Sequence, residues 1–533
     1  MSSGTGFSKL GFAFWGGVAH TYFAMYESMA SVPWPKSPLV YEIDTHPWLA
    51  ELSTKLGRPI TLDKVPQDEV EKIARLGFHA VWLMGAWSRG REAIDAVRSH
   101  PELLDGCRKA LPDFTPDDVV GSPNSVTAYQ TPPQLGGPEG LAIFRGRLAQ
   151  HGLRLILDFV PNHTARDHRF VTERPEAYIC GTQEDLWREP GSFFKTASGA
   201  ILAHGRDPFF PPWPDTAQIN YAQSPGREAM KSELLGVAAQ GDGIRCGMAM
   251  LVLPDIVERA WGGRLGANPI RKSFWKEALD ELRQRCPNCL LLAQTFWDTE
   301  WRLQQEGFHF TCDRRLYDRL QQDDFRGVRL HLHAERSFQE RCARYIEFHE
   351  EARAITRFGP ARARSAAVAT LFCPGLRLLH EGQLEGHKVR VPLLLGRRPL
   401  ESEDVESALF YEKILGVLQD PIFQDGVFQQ REVHSPGSGD TANESLLALA
   451  WTQPAERRGG PLLGFLIVVN LGNSHAYGRV PLPAELFSPG KVYEFYDRYD
   501  GKHYEREGQE LTWPGLYVAL EGHQPHIFEI SGK

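Results

Sequence analysis

Eight short apolar runs, set apart by helical patterns, constrain this chain more than any other feature. The first is "PLVYEIDT", followed by the amphipathic "VPQDEVEKIARLG" and then the second, "HAVWLMGAW". "LRLILDFV", "GIRCGMAM", "LLLAQTFW", "FHFTCD", "YIEFHE" and "LRLLHEG" continue the series, and all but one are clearly separated from the next by helical sequence. A strand followed by a helix and a second strand is the unit of a parallel sheet. Eight such units predict an α/β fold, a closed (β/α)₈ TIM barrel over residues 38–398. Two stretches depart from the rhythm. Residues 164–220, with the Pro- and aromatic-rich "GRDPFFPPWPD", form a long excursion after the third strand, a length that usually signals function. From residue 399 to 533 the period changes to two ("LLALAWTQ", "GFLIVVNLG", "LYVALEG"), which predicts a C-terminal antiparallel β-sandwich. Residues 1–37 read as an N-terminal extension; "LGFAFWGGVAHTYFAMYESMA" carries His20 and Glu27, which suit neither a leader nor a membrane span.

Charge and cysteine usage exclude several function classes. Lys and Arg number 59 against 67 Asp and Glu, a formal charge of −8, so no basic face for nucleic acid or an anionic membrane is expected. Eight cysteines in 533 residues form no disulfide framework, which points to a reducing, cytoplasmic setting. Cys286 and Cys289 in "CPNC" make half a zinc site with no second half.

In a barrel of this kind the chemistry sits where strands end. Strand ends three, four, five and seven read "DFVPNH", "GIRCGM", "LAQTFW" and "IEFHEE". In order and spacing these resemble the strand-end signatures of the α-amylase family, glycoside hydrolase family thirteen. The resemblance runs from about residue 38 to the C-terminus. It implies retaining α-glucan chemistry, with an Asp nucleophile after strand four, a Glu acid after strand five and a second Asp after strand seven. Asp158, Asn162 and His163 keep the first signature, and Gly243 and Arg245 keep part of the second. Gly247 stands at the nucleophile position, Gln294 at the acid position and Glu350 at the third acid position, with Phe348 replacing an Asn. Asn124 stands where the resemblance implies a Tyr stacked on the sugar, and Ala128 where it implies an Asp.

Retaining hydrolysis needs two carboxyl groups about 5–5.5 Å apart, one to form a glycosyl ester and one to protonate the leaving oxygen. Glycine has no attacking atom, and a glutamine amide has no proton to give at neutral pH. Loss of the acid alone removes about 10²–10⁴ in rate. The expected function is a non-hydrolytic pseudoenzyme that binds an α-glucan or oligosaccharide. Two alternatives stand beside it: an active glycosidase or transglycosylase using displaced carboxylates such as Glu350, and a protein-interaction scaffold. His163, Arg245, His349, Asp158 and Phe348 are the expected sugar contacts. Asp158 and Arg245 read most simply as a buried ion pair bracing strands three and four. No cofactor is expected beyond a structural calcium, for which the resemblance makes Asn162 a candidate ligand. Cys246 points away from the lumen by strand alternation, and Asp298 and Glu300 read as caps of the next helix.

Overall fold

The computed structural model describes residues 32–98, 101–265, 270, 272–435, 437, 439–454, 456 and 462–532, so most of the expected N-terminal extension lies outside the described residues. Eight parallel strands close into a barrel: β1 (Leu39–Asp44), β2 (Ala80–Met84), β3 (Arg154–Phe159), β4 (Gly243–Cys246), β5 (Leu290–Ala293), β6 (Phe310–Cys312), β7 (Cys342–Arg344) and β8 (Leu376–His380). Buried on both faces, these strands carry the near-continuous apolar runs seen in the sequence. The helices between them are amphipathic. In Gln67–Arg75 the buried residues are Val70 and Ile73, one helical turn apart, while the acidic and basic side chains face out.

One strand is displaced from its expected position. "YIEFHE" is not β7; the strand lies just upstream, at Cys342–Arg344, and residues 345–350 form the loop that follows it. Arg344 concealed it from a reading based on apolar runs. Its guanidinium is wholly buried beside Asp313, 3.4 Å away, and donates to the carbonyl of Gln339.

The excursion is tied back on itself where His163–Ala165 pairs with Thr216–Gln218. After β8, helix Val405–Leu418 still packs in the barrel core through Phe410, Tyr411 and Ile414, so the antiparallel strands begin only at Val427, later than residue 399. Those strands are β9 (Val427–Arg431), β10 (Leu446–Thr452), β11 (Leu462–Asn470), β12 (Ala476–Val480), β13 (Val492–Asp497), β14 (His503–Glu507), β15 (Leu516–Leu520) and β16 (Pro525–Gly532). Six of them form one sheet in the order β9-β10-β11-β16-β13-β14, and β12 pairs with β15. On β10, Leu446, Ala448 and Ala450 pack with β12 and β15, while Leu447, Leu449 and Trp451 pack into the barrel's core. The six-stranded sheet is therefore a middle layer, and the Trp451 indole N–H donates across to the carbonyl of Phe372 at 2.8 Å. Among the described residues no helix is long and apolar enough to cross a membrane.

Candidate active site

Parallel pairing brings the expected site residues together. Arg245 on β4 stands in register with Asp158 on β3. The ladder runs one step beyond β4: Gly247 N–H donates to the carbonyl of Phe159 at 2.8 Å, and Gln294 N–H to that of Cys246 at 3.0 Å. Gly247 and Gln294 thus face each other at the strand ends. A Cβ built on Gly247 would lie 3.2 Å from Arg245 Nη1 and 3.9 Å from Gln294 Oε1.

Gln294 is the hub of the polar chain that follows. Its Oε1 accepts from Arg245 Nη2 at 2.6 Å and from Met248 N at 3.0 Å. Its Nε2 donates to Glu350 Oε2 at 2.7 Å. Glu350 also faces His349 Nε2 at 3.6 Å, while His349 Nδ1 is bonded to Glu42 on β1. With carboxylates on both sides, both imidazole nitrogens carry protons. Burial works against the charged ring, but Glu42 and Glu350 outweigh it and hold His349 at a pKa of about 10. Burial likewise opposes the charge on Glu350, yet His349, Arg245 and the Gln294 amide bring its carboxyl down to about 2. Behind this chain Asp158 accepts from Trp82 Nε1 at 3.0 Å and Gly85 N at 2.8 Å, and lies 3.7 Å from Arg245 Nη1. The expected ion pair between strands three and four is present. Burial pushes the Asp158 carboxyl upward against those partners.

A cleft of ≈ 210 Å³ opens over this chain. Gly247, Glu350, His163 and Asn124 line it, together with Trp213 and Asp215 of the excursion. His163 packs at a tilt against Trp213, ring centroids 5.1 Å apart, and burial lowers its pKa to about 4, so the ring is neutral. Its Nε2 is buried without a hydrogen-bond partner. Arg245, Asp158, His349 and Phe348 lie behind the wall rather than on it. His349 has both nitrogens engaged, and Phe348 packs against Tyr345 and His349. None of these four lines the cleft, where direct sugar contacts were expected of them.

Other expectations resolve residue by residue. Asn162 does not fit a calcium: its Oδ1 and its main-chain carbonyl both accept from Gln218 Nε2, at 3.0 and 2.9 Å, where a cation would need them free. No cluster of acidic, His or Cys side chains suited to a metal occurs among the described residues. Cys246 is buried in the apolar core. Asp298 does not cap the following helix but forks onto Arg315, and the N-cap position belongs to Thr299. Ala128 pairs with Ser88 on a short ladder. Three contributors escaped the sequence reading. Glu42, an acid inside an apolar strand, was the legible one; Trp213 and Asp215 sit in an excursion without periodicity.

A (β/α)₈ barrel with a long excursion after β3, a polar cleft at its strand ends and an antiparallel domain behind it has the architecture of the amylase-type barrels. No family model matches the chain. The α-amylase MalA of Haloarcula japonica is 25% identical over 324 residues, 57% of this chain and 43% of that protein. The chain therefore aligns with less than half of that relative's length. Among solved structures, a noncanonic maltogenic α-amylase AmyB from Thermotoga neapolitana superposes with TM-score 0.64 at 16% identity, covering 93% of this chain and 99% of that one. The acarbose-soaked debranching enzyme of Nostoc punctiforme gives 0.61 at 16% identity, with 93% and 99% covered. The α-amylase of Geobacillus thermoleovorans, complexed with acarbose, gives 0.62 at 14% identity, with 94% and 100% covered. The chain is thus similar in sequence to an α-amylase over part of its length, and it shares the fold of these amylase and debranching-enzyme structures.

Proposed function

We propose that the protein binds an α-glucan or related oligosaccharide in this cleft without cleaving it by the retaining mechanism. One observation supports the reading: Gly247, Gln294 and Glu350, to which the resemblance gives the nucleophile, acid and third-carboxylate positions, lie together. Only Glu350 among them is acidic, and it is already bonded to Gln294 and paired with His349. Gln294 is equally committed, with both amide atoms engaged. The neutral, buried His163 ring leaves one nitrogen open to a sugar hydroxyl. The protein's setting is the cytoplasm, a reading supported by eight unpaired thiols.

A second reading rests on Asp215. It lines the same cleft as Glu350, and burial raises its carboxyl while Glu350 is held low. Two carboxyls pushed apart in this way are how acid and base roles are divided. Calorimetry with maltotriose and maltoheptaose, beside a reducing-sugar assay, separates the two. Binding without release of reducing ends is expected. Release that disappears in both Glu350→Gln and Asp215→Asn would overturn the pseudoenzyme reading in favour of a displaced mechanism.

A further inference from the structure

The cleft leaves the CPNC turn, at the opposite end of the barrel, unaccounted for. Cys286 closes helix Phe274–Arg285, and Cys289 immediately precedes β5, at the end of that strand remote from Gln294. The N–H of Cys289 donates to the carbonyl of Cys286 at 3.1 Å, which closes a four-residue turn with Pro287 and Asn288 at its centre. Such a turn holds its end Cα atoms less than about 7 Å apart, and a disulfide spans about 4.4–6.8 Å between Cα atoms. Both cysteines also line one cavity of ≈ 250 Å³, so the two side chains share an open space. Packing in the barrel core accounts for Cys289, as it does for Cys246. It does not account for a second, half-buried thiol beside Cys289 at an open cavity. The cavity wall is cationic. Arg154, at the start of β3, is buried beside Trp34, whose ring centroid lies 4.4 Å from the guanidinium carbon. Arg154 Nη2 donates to the carbonyls of Val32 and Pro33 at 2.7 and 3.2 Å, and Nη1 is buried without a hydrogen-bond partner. Arg285 lines the same space from the end of its helix, where it pairs with Glu281. Asp242, the acid of this wall, is already bonded to Arg145 and to the Leu155 N–H, each at 2.8 Å.

We infer that Cys286 and Cys289 form a reversible disulfide, made by exchange with an anionic low-molecular-weight disulfide of the glutathione type that enters this cavity. In the first step the Cys286 thiolate attacks one sulfur of glutathione disulfide. The oxidant's S–S bond breaks, a bond to Cys286 forms and one glutathione thiolate leaves. In the second, the Cys289 thiolate attacks the Cys286 sulfur of the mixed disulfide and the other glutathione thiolate leaves. The protein gives up two electrons and two protons, and the oxidant takes them as two molecules of glutathione. Exposure and charge set the order. Burial raises the Cys286 thiol while Arg145 and Arg285 draw it back, whereas burial and the neighbouring Cys286 push Cys289 up to about 12. Scarce thiolate makes the exchange slow. It also leaves the reduced form without special stabilisation, so the disulfide is a weak oxidant and persists until a thiol of the same class reduces it. A disulfide that comes and goes in a reducing compartment is a sensor rather than a staple. This one would tie the end of helix Phe274–Arg285 to β5, the strand whose far end carries Gln294. Nothing in the exchange depends on a sugar in the cleft.

Peptide mapping of the full chain tests this. The folded protein is incubated with glutathione disulfide, its free thiols are alkylated, and it is digested with trypsin. The peptide 286–302, which contains no other cysteine, should be unalkylated and two hydrogens lighter than its dithiol form. Excess glutathione should reverse the change. Cys289→Ala should stop at the mixed disulfide, with glutathione on Cys286, and Cys286→Ser should leave Cys289 unmodified over the same interval. Cystamine, a cationic disulfide, should react about tenfold more slowly at low salt. Two alkylated thiols in the peptide after prolonged incubation of the unmodified protein, or oxidation seen only in denaturant, would overturn the disulfide. Glutathione found on Cys289 in preference to Cys286 would overturn the order of attack, and cystamine reacting as fast as glutathione disulfide would overturn the part given to the arginines.

Discussion

Replacing Gln294 by Glu changes one atom of the polar chain and reverses its logic. In the native site Nε2 donates to Glu350 at 2.7 Å, while Oε1 accepts from Arg245 and Met248. In Gln294→Glu the donor becomes an acceptor facing a second carboxylate. Two unit charges that close repel by about 6 kcal/mol at an effective dielectric of 20. The protein escapes part of this by holding a proton between the two groups. At pH 7 the cost of protonating a carboxyl of ordinary pKa 4.3 is about 3.7 kcal/mol, and this caps the penalty. The new carboxyl's folded pKa is raised above its unfolded value, so the penalty grows as pH rises from the unfolded pKa toward the folded one. It should fall to about 1 kcal/mol at pH 5. Side-chain volume is unchanged, so no cavity confuses the result. Unfolding entropy of about 2.1 cal/mol/K per residue, over a chain of this length, converts about 3.5 kcal/mol into a melting shift of about 3 °C. Scanning calorimetry of both proteins at pH 5, 6, 7 and 8 reads it directly. A melting difference that stays constant across that range, or no difference at any pH, would refute the hydrogen-bond assignment on which the argument stands.

Gly247→Asp should fold with little loss, because its Cβ would meet only the movable end of Arg245 at 3.2 Å and no backbone atom nearer than 3.8 Å; combined with Gln294→Glu it should give weak reducing-sugar release from maltoheptaose, and neither single variant should give any. His349→Gln breaks a buried charged pair and should cost about 3–5 kcal/mol in urea unfolding. Its native contribution is full below His349's unfolded pKa and lost as pH rises through about 10, whereas that of Glu350 is full above its unfolded pKa and lost as pH falls through about 2, so the deficit should be largest near pH 5–6 and shrink toward pH 10.

Much of the fold was legible because it is written in local periodicity. Seven of the eight barrel strands lie within the apolar runs that announce them, since a strand buried on both faces needs little beyond such a run and a flanking helix. β7 was displaced because Arg344 replaces an apolar side chain there, and what makes that tolerable lies elsewhere in the chain, at Asp313 and Gln339. The antiparallel sheet was legible by its period of two, but not its burial on both faces, which requires the barrel on one side and β12–β15 on the other.

At the site the division is the same. Sequence alone determined which residue types stand at or just past the strand ends, because chain order sets that spacing, and the resemblance to the α-amylase family singled out Gly247, Gln294 and Glu350 among them. Only the tertiary structure decided what those residues do to one another. Glu42 and His349 are 307 positions apart in the chain, and their contact makes the imidazole a fixed cation that holds Glu350 ionised. Gln218 satisfies the Asn162 carbonyls from 56 residues away, which removes them as metal ligands. The charge state of a buried group is set by the neighbours that packing brings within a few ångströms, and chain order does not list those neighbours.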